Sequence, residues 1–338
     1  MISFRLVVCL GISIFLQPVL ARKWHDTGSG TIIFEEAWTI PALIDTMVIS
    51  CASPCIQGIS DQATAEDMAR NVNDQLAAAI ANNTARFGGF AALAMHNATT
   101  AAQELKRTVV KLGFLGALIN DYQQSGPDNG NIDPFSLKFV TYCYNKATLL
   151  FYDQPEYDVF WKMVTELDVP VYLHPRTNIP EIQTPLYGHA PWIKGPSQEF
   201  SATLSTHVMG LCTNGVFDRF PKLSVIVGHL GERIPSDFWR IDDQLTRQMS
   251  LGMPMLRNLS SYWKTNLLET VSGNFATDLF NFHATQIGQN RILYSVDYPF
   301  VSMEQGETWL KGLEKSMKKE KLLALKRGLA VEVLHLDR

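Results

Sequence analysis

Short apolar runs and longer amphipathic stretches alternate along the chain from end to end. Most of the apolar runs lack the period-two alternation of a half-exposed sheet, which is typical of strands buried on both faces. Seven segments fit this description: TIIFEEA, ARFGGFAAL, FLGALIND, PVYLHPR, LSVIVGH, WKTNLLET and RILYSVD. They predict an α/β protein with a parallel sheet.

Helical stretches separate these strand segments. Residues 61–83 begin with Asp61 as a candidate cap and carry apolar residues at three- and four-residue spacing, as amphipathic helices do. Similar patterns predict helices over 100–112, 155–167 and 233–249. The alternation favours a single (β/α)8 TIM barrel, although seven strands are one short of eight. An open doubly wound sheet is the alternative, but no G-x-G-x-x-G follows the first strand to support its dinucleotide-binding form.

Two segments do not fit the alternation of strands and helices. Residues 1–21 combine Arg5, an apolar run too short to span a bilayer comfortably and the small residues Val19 and Ala21, the pattern of a secretory signal peptide. They predict a secreted mature chain of residues 22–338 with no membrane contact after cleavage. A start-site artefact on a cytoplasmic enzyme is the alternative. The aromatic, weakly patterned segment 131–146 is interpreted as an atypical insertion after the third predicted strand.

The composition is that of an ordinary globular domain. The chain has 338 residues, of which 46% are hydrophobic and 18% charged, and a net charge of −4. No basic stripe is present, which argues against a nucleic-acid partner. The spacing of Cys51 and Cys55 would allow a small disulfide, but unpaired or partly oxidised thiols are the favoured prediction, and no zinc-finger spacing occurs.

Ionisable side chains stand where several predicted strands end. Glu35 ends the first strand, His174 the fourth and Asp297 the last, while His229 and Glu232 follow SVIV. Strand C-termini and the loops after them form the mouth of a parallel barrel, where such enzymes place their catalytic groups. Together these residues predict an enzyme active site.

The residue types indicate the chemistry of that site. Glu35, His174 and Asp297 would form a divalent-metal site with open positions, and the ligand set leaves Zn²⁺, Mg²⁺ and Mn²⁺ open. His229 with Glu232 suits a general acid/base, because the carboxylate orients the imidazole and raises its basicity. Taken singly, a histidine at a strand end is more often structural. Only the coincidence of several such residues favours function.

Four motifs, FEEAW (34–38), VYLHPR (171–176), VGHLGERIPSDFWRID (227–242) and LYSVDYPF (293–300), resemble the amidohydrolase-related aromatic acid decarboxylases. The likeness is nearest to the 2,3-dihydroxybenzoate and γ-resorcylate decarboxylases and extends from about Thr31 onward. It implies an amidohydrolase-like TIM barrel, a homo-oligomer (dimer or tetramer) and one divalent metal ion. The ion would be bound by Glu35, His174 and Asp297.

The resemblance also implies roles for further residues. His229 and Glu232 fall on the family's H-x-G-E motif, and Arg240 on an arginine further along it that would position this pair or the substrate. Ala37 stands where related enzymes often carry histidine, which argues against the two-metal hydrolases with an H-x-H pair. A substrate slot for the aromatic ring is predicted from three aromatic residues: Trp38, Tyr298 and Phe300.

The implied activity is metal-dependent, non-oxidative decarboxylation of a small aromatic carboxylic acid of the 2-hydroxybenzoate type. The first candidate substrate is 2,3-dihydroxybenzoate, which would yield catechol and CO₂, with Asp297 as proton donor to the ring. Two alternatives stay open. One is a metal-dependent hydrolase of a lactone or amide, and the other is a non-catalytic barrel that binds aromatic acids.

Overall fold

The computed structural model describes residues 31–36, 46–51, 53–126 and 149–337, with backbone only at 34–36. The predicted leader (1–21), Trp38 and the predicted insertion (131–146) lie outside the described residues. Within these ranges, every helix is too short or too polar to cross a bilayer.

Eight parallel strands form one sheet, and each strand pairs with its neighbour in sequence order. The sheet curls into a nearly closed barrel, so the predicted (β/α)8 fold is confirmed. A two-residue antiparallel ladder, Gln123–Gln124 with Leu149–Leu150, follows the fourth strand. The strands are β1 Ile32–Glu36, β2 Thr46–Ile49, β3 Phe87–Ala91, β4 Gly116–Asn120, β5 Val171–His174, β6 Val225–Val227, β7 Leu267–Thr270 and β8 Ile292–Leu293.

The sequence pattern missed β2, Thr46–Ile49. This strand is four residues long, and so short an apolar run carries too little periodicity to be recognised. Because β2 was missed, two of the predicted strand numbers are too low by one. His174 ends the fifth strand rather than the fourth, and the predicted insertion follows the fourth strand rather than the third.

Helices lie between the strands. Asp61 caps α1 as predicted, because its Oδ1 accepts a hydrogen bond from the Thr64 backbone N–H at 2.9 Å. The described helices are α1 Gln62–Ile80, α2 Ala98–Arg107, α3 Asp158–Leu167, α4 Pro180–Tyr187, α5 Glu199–Thr213, α6 Val216–Arg219, α7 Phe238–Met249, α8 Leu259–Tyr262, α9 Thr277–Ile287, α10 Met303–Leu313, α11 Lys319–Leu323 and α12 Leu329–Val333.

The barrel interior is filled by one buried side chain from each strand, and the C-terminal segment packs against the same cluster. A barrel interior filled in this way is a packed core rather than a pore. The strand residues are Ile32, Val48, Phe90, Leu118, Tyr172, Ile226, Leu268 and Leu293, and the C-terminal residues are Leu329, Ala330, Leu334 and Leu336. A second, larger core lies between the sheet and its helices.

Cys51 and Cys55 form a disulfide, so the prediction of unpaired thiols is wrong for this pair. The turn between them brings their Cα atoms to 5.8 Å, within the range that a disulfide spans. Sequence spacing alone does not reveal that approach. Cys212 is free and buried, and burial raises the pKa of its thiol.

Candidate active site

Three predicted site residues converge at the carboxyl ends of the strands. His174 is the last residue of β5, His229 follows β6 and Asp297 follows β8. One nitrogen of each imidazole and one carboxylate oxygen all lie within 4.8 Å of one another. The barrel topology creates this convergence, since parallel strands deliver all their carboxyl ends to the same face.

The contacts of His174 determine which of its nitrogens faces the cluster. Its Nδ1 lies 2.6 Å from the Pro175 carbonyl oxygen and 3.2 Å from Asn120 Oδ1. Both atoms are acceptors in this arrangement, so Nδ1 carries the proton and Nε2 keeps its lone pair. A histidine that donates through one nitrogen while binding a metal ion through the other is the usual ligand arrangement.

His229 is oriented by a carboxylate. Its Nδ1 lies 2.6 Å from Glu232 Oε1, a charge-assisted hydrogen bond to a nearly buried acid. Its Nε2 is turned toward Asp297, with Oδ2 at 3.7 Å. The side chain of His229 is 22% exposed, which leaves this imidazole open to a substrate at the barrel mouth.

The backbone that carries His229 and Glu232 is left-handed. All five residues from 229 to 233 have positive φ: His229 54°, Leu230 56°, Gly231 62°, Glu232 48° and Arg233 69°. The left-handed conformation costs about 1–2 kcal/mol for each non-glycine residue, and four of these five carry side chains. Strain of this kind persists only where the surrounding structure enforces it, and it occurs preferentially at functional sites.

This turn also explains where α7 begins. A helix was predicted over 233–249, but α7 starts at Phe238. The left-handed turn continues through Arg233, and Pro235 lies in a short 3₁₀ turn, Ile234–Asp237, before the helix. The predicted helix therefore loses its first turn to the geometry that presents His229.

The other predicted site residues are not shown as part of the cluster. Glu35 lies in β1, but its side chain falls outside the described residues, as does Trp38. Arg240 is exposed on α7 and has no hydrogen bond or ion pair with His229 or Glu232 in the described part of the chain. Tyr298 packs partly against the core, and Phe300 is 74% exposed.

Asn120 is a site residue that the sequence interpretation missed. It is the last residue of β4, and its side chain contacts His174 Nδ1. Gln57 Oε1 accepts a hydrogen bond from the Asn120 backbone N–H at 3.2 Å, and the Gln57 carbonyl accepts one from Arg176 at 2.6 Å. The rule that singled out His174, a polar residue at the end of an apolar strand, also applies to Asn120 in FLGALIND.

Buried hydroxyl groups lie next to His174. Tyr172, which contributes to the barrel interior, has its hydroxyl 2.8 Å from Thr270 Oγ1 and 3.1 Å from Ser272 Oγ. The rings of Tyr172 and His174 are 6.5 Å apart. The barrel therefore contains three buried, mutually hydrogen-bonded hydroxyl groups, one of which belongs to Tyr172, close to His174 in sequence and in space.

The donor set suits a divalent cation. His174 Nε2 and the Asp297 carboxylate offer one nitrogen ligand and one oxygen ligand, and the third protein ligand is either His229 Nε2, which lies within reach, or the predicted Glu35. Zn²⁺ and Mn²⁺ both accept such a mixed set, and three protein ligands leave positions free for a substrate. The arrangement also places a carboxylate-backed imidazole beside a second carboxylate, which suits proton transfer.

Comparison with known proteins identifies similar chains. The profile of the Amidohydrolase family matches residues 51–332. The γ-resorcylate decarboxylase of Polaromonas sp. (strain JS666) is 38% identical over 267 residues, which cover 79% of this chain and 76% of that enzyme. The decarboxylase orsB of Emericella nidulans is 38% identical over 253 residues, covering 72% of this chain and 68% of the relative.

Solved structures of similar fold are also named as aromatic acid decarboxylases. A 2,6-dihydroxybenzoate decarboxylase from Rhizobium superposes with a TM-score of 0.79 at 32% identity, covering 91% of this chain and 99% of that one. A dihydroxybenzoic acid decarboxylase from Polaromonas sp. JS666, with bound manganese and the inhibitor 2-nitroresorcinol, has a TM-score of 0.80 at 32% identity. That match covers 91% of this chain and 98% of the other.

Proposed function

Because the chain belongs to the amidohydrolase family and is a metal-dependent carboxy-lyase, we propose that it removes CO₂ from a 2-hydroxybenzoate. The observation that carries the proposal is the cluster of His174, His229 and Asp297, whose ligand atoms lie within 4.8 Å of one another. An aromatic acid with an adjacent phenol offers two oxygen atoms to such a centre.

We assign the cation to His174, Asp297 and the predicted ligand Glu35. When bound, the ion supplies Lewis-acid polarisation of the substrate oxygens, an effect worth several kcal/mol. Asn120 and the Pro175 carbonyl hold the His174 ring so that its Nε2 faces the cluster. Such supporting contacts are part of the ligand arrangement.

The order of events follows from the instability of an aryl carbanion. Direct loss of CO₂ would leave the electron pair on an sp² ring carbon, whereas protonation of C1 first allows the C–C bond to break as the ring regains its aromaticity. We assign the C1 proton to Asp297. His229, whose Nε2 lies 3.7 Å from Asp297 Oδ2, returns a proton to this carboxylate, and Glu232 stabilises the imidazolium.

We propose two candidate substrates, both of them dihydroxybenzoates. The motifs of the chain favour 2,3-dihydroxybenzoate, with catechol as product. The names of the γ-resorcylate and 2,6-dihydroxybenzoate decarboxylases favour 2,6-dihydroxybenzoate as a second candidate. Both share the carboxylate with an ortho hydroxyl that the assignment requires, and they differ only in the position of the other hydroxyl.

A substrate panel tests the proposal. The purified protein, supplied in turn with Mn²⁺, Mg²⁺ and Zn²⁺, is incubated with both dihydroxybenzoates, and phenol formation is followed by chromatography together with CO₂ release. We expect one of the two acids to be converted. Asp297→Asn should reduce turnover about 10²- to 10⁴-fold, the usual contribution of a positioned acid. Asp278→Asn, on the exposed first turn of α9, is the matched control and should retain activity.

The alternatives predict different results. Hydrolysis of a lactone without CO₂ release would support a hydrolase on the same barrel. Binding of a dihydroxybenzoate without turnover under any of the three ions would support a non-catalytic barrel. Either result would contradict the proposed decarboxylation.

A further inference from the structure

The left-handed turn at 229–233 needs a support that the proposed reaction does not itself provide. His229 and Glu232 are held to each other by a hydrogen bond, but both belong to this turn, so that bond does not fix the turn to the barrel. A strained backbone relaxes unless its neighbours hold it. Asn274 Nδ2 donates to the His229 carbonyl at 3.4 Å, and the residues packed beneath the turn are a second support that helps to fix where His229 points.

A chain of three polar residues runs from beneath the turn to Ser236, an exposed residue of the 3₁₀ turn that follows it. Glu269 on β7 and His283 on α9 are both fully buried, and His283 Nδ1 lies 3.0 Å and 3.1 Å from the two Glu269 carboxylate oxygens. His283 Nε2 lies 2.9 Å from Ser236 Oγ. Since Nδ1 faces a carboxylate, it donates, and Nε2 accepts the hydroxyl proton of Ser236.

This chain contacts the turn at two places. At Gly231, a Cβ atom would lie 2.7 Å from Glu269 Oε2 and 2.5 Å from the Trp263 ring, so the backbone is held closely between a carboxylate and an indole. At the end of the turn, the Ser236 backbone N–H donates to the Arg233 carbonyl at 3.0 Å. The middle of the turn is thus packed against β7, and its end is linked to α9 through the hydrogen bond between Ser236 and His283.

We propose that Glu269, His283 and Ser236 are positioning residues that hold the left-handed turn in place, and through it the His229–Glu232 pair. The inference rests on the proposed function for its catalytic consequence, but the structural part stands independently of it. The arrangement resembles a serine–histidine–glutamate triad. However, the His283 ring is fully buried and has no access to a substrate, so the geometry points to positioning rather than to a second reaction.

Hydrogen exchange measured by mass spectrometry tests the structural part on the full-length chain. Glu269→Gln retains the size of the side chain but removes its charge, and Ser236→Ala removes the last link. For both variants we expect about tenfold faster exchange in peptides covering 228–233, with exchange in β3 and α2 unchanged. Ser236→Thr retains the hydroxyl and should restore slow exchange.

Kinetics test the catalytic part. If the turn presents a group that acts in the transition state, Glu269→Gln should lower kcat about tenfold with little change in KM. Glu104→Gln is the matched control, because Glu104 is a buried acid on α2 whose partners are Asn73 and Arg107, away from the turn. It should leave kcat, KM and exchange at 228–233 as in the wild type.

Two results would overturn the inference. One is wild-type exchange at 228–233 in both Glu269→Gln and Ser236→Ala. The other is faster exchange spread evenly over the whole chain, as a general loss of stability would produce. If the wild-type protein converts no dihydroxybenzoate, the proposed function fails, but the exchange experiment still decides whether these residues hold the turn.

Discussion

At the residue scale, the two histidines of the cluster differ in what holds them. His174 is 9% exposed and donates to a backbone carbonyl and to an amide, whereas His229 is more open and donates to a carboxylate. A carboxylate partner stabilises the imidazolium form more than a neutral acceptor does. This difference favours His174 as a ligand and His229 as the group that exchanges a proton.

Replacing His229 separates these roles. His229→Asn should leave Mn²⁺ affinity within about threefold of the wild type, while turnover falls about 10²- to 10⁴-fold because a general acid/base is lost. His174→Asn should instead weaken Mn²⁺ binding. Isothermal titration calorimetry with Mn²⁺ and steady-state kinetics measure the two effects. Loss of Mn²⁺ binding in His229→Asn would make His229 a ligand and would contradict its assignment to proton transfer.

His96 gives a pH-dependent contribution to stability away from the cluster. Burial lowers the pKa of its imidazole, although its Nε2 lies 3.0 Å from the Ser60 carbonyl oxygen. Because the unfolded chain then binds a proton at a higher pH than the folded chain does, the free energy of unfolding should fall as the pH drops below about 6.5.

The contribution of His96 is isolated by substitution. Urea denaturation of wild type and His96→Gln at pH 7.5 and pH 5.5 should show a smaller loss of stability on acidification in the variant. His189→Gln, at an exposed histidine after α4, is the matched comparison. An equal loss in wild type and His96→Gln would exclude His96 as the source.

At the scale of elements, the turn between β6 and α7 is the feature that separates this barrel from a plain repeat of strand and helix. The five left-handed residues, HLGER, contain only one glycine, so composition gives no hint of five consecutive positive φ values. Four of the five residues therefore hold side chains in a backbone conformation that favours glycine.

Glycine is required at position 231 for two reasons that can be measured separately. Gly231→Ala should cost about 1–2 kcal/mol for its positive φ and roughly 1–3 kcal/mol more for overpacking against Trp263 and Glu269. Gly252 also has positive φ, but no atom lies within 4 Å of its added Cβ. Gly252→Ala should therefore show only the first cost in chemical denaturation. Equal losses in the two variants would show that crowding at Gly231 is absent.

The sequence predicted elements well where the apolar pattern was long enough to be recognised. The helix predicted over 61–83 and the strand in VYLHPR both exist, whereas the four-residue β2 was missed. The cluster was predicted from the strand assignments, since a parallel barrel brings the strand ends together whatever their separation in sequence. The contacts of Asn120 and Glu269 could not be predicted from the sequence, because they depend on which strands are neighbours and on the direction of each side chain. The leader, the homo-oligomer and the insertion stay predictions.

At the scale of the whole molecule, the barrel interior depends on both ends of the described chain. Ile32 of the first strand and Leu334 near the C-terminus belong to the same buried cluster. The interior is therefore complete only when the C-terminal segment packs against the strands.

Truncation of one of these side chains tests the role of the C-terminal segment. Leu334→Ala should cost about 2–5 kcal/mol, because Leu334 is 4% exposed and its removal leaves a cavity beside the barrel strands. Leu323→Ala, on α11 with Leu323 47% exposed, should stay within about 0.5 kcal/mol of the wild type. Guanidinium denaturation measures both. A small loss in Leu334→Ala would mean that the barrel is stable without this contact.

The cluster joins the fifth strand to the loop after the eighth, so its ligands leave the ribosome at different times. A nascent chain that stops short of β8 contains His174 and His229 but not Asp297, and its barrel is still open. Acquisition of the cation would therefore come late in biogenesis and would report that the ring of strands has closed. By mass action, the ion would then favour the finished barrel over every incomplete form that lacks the site.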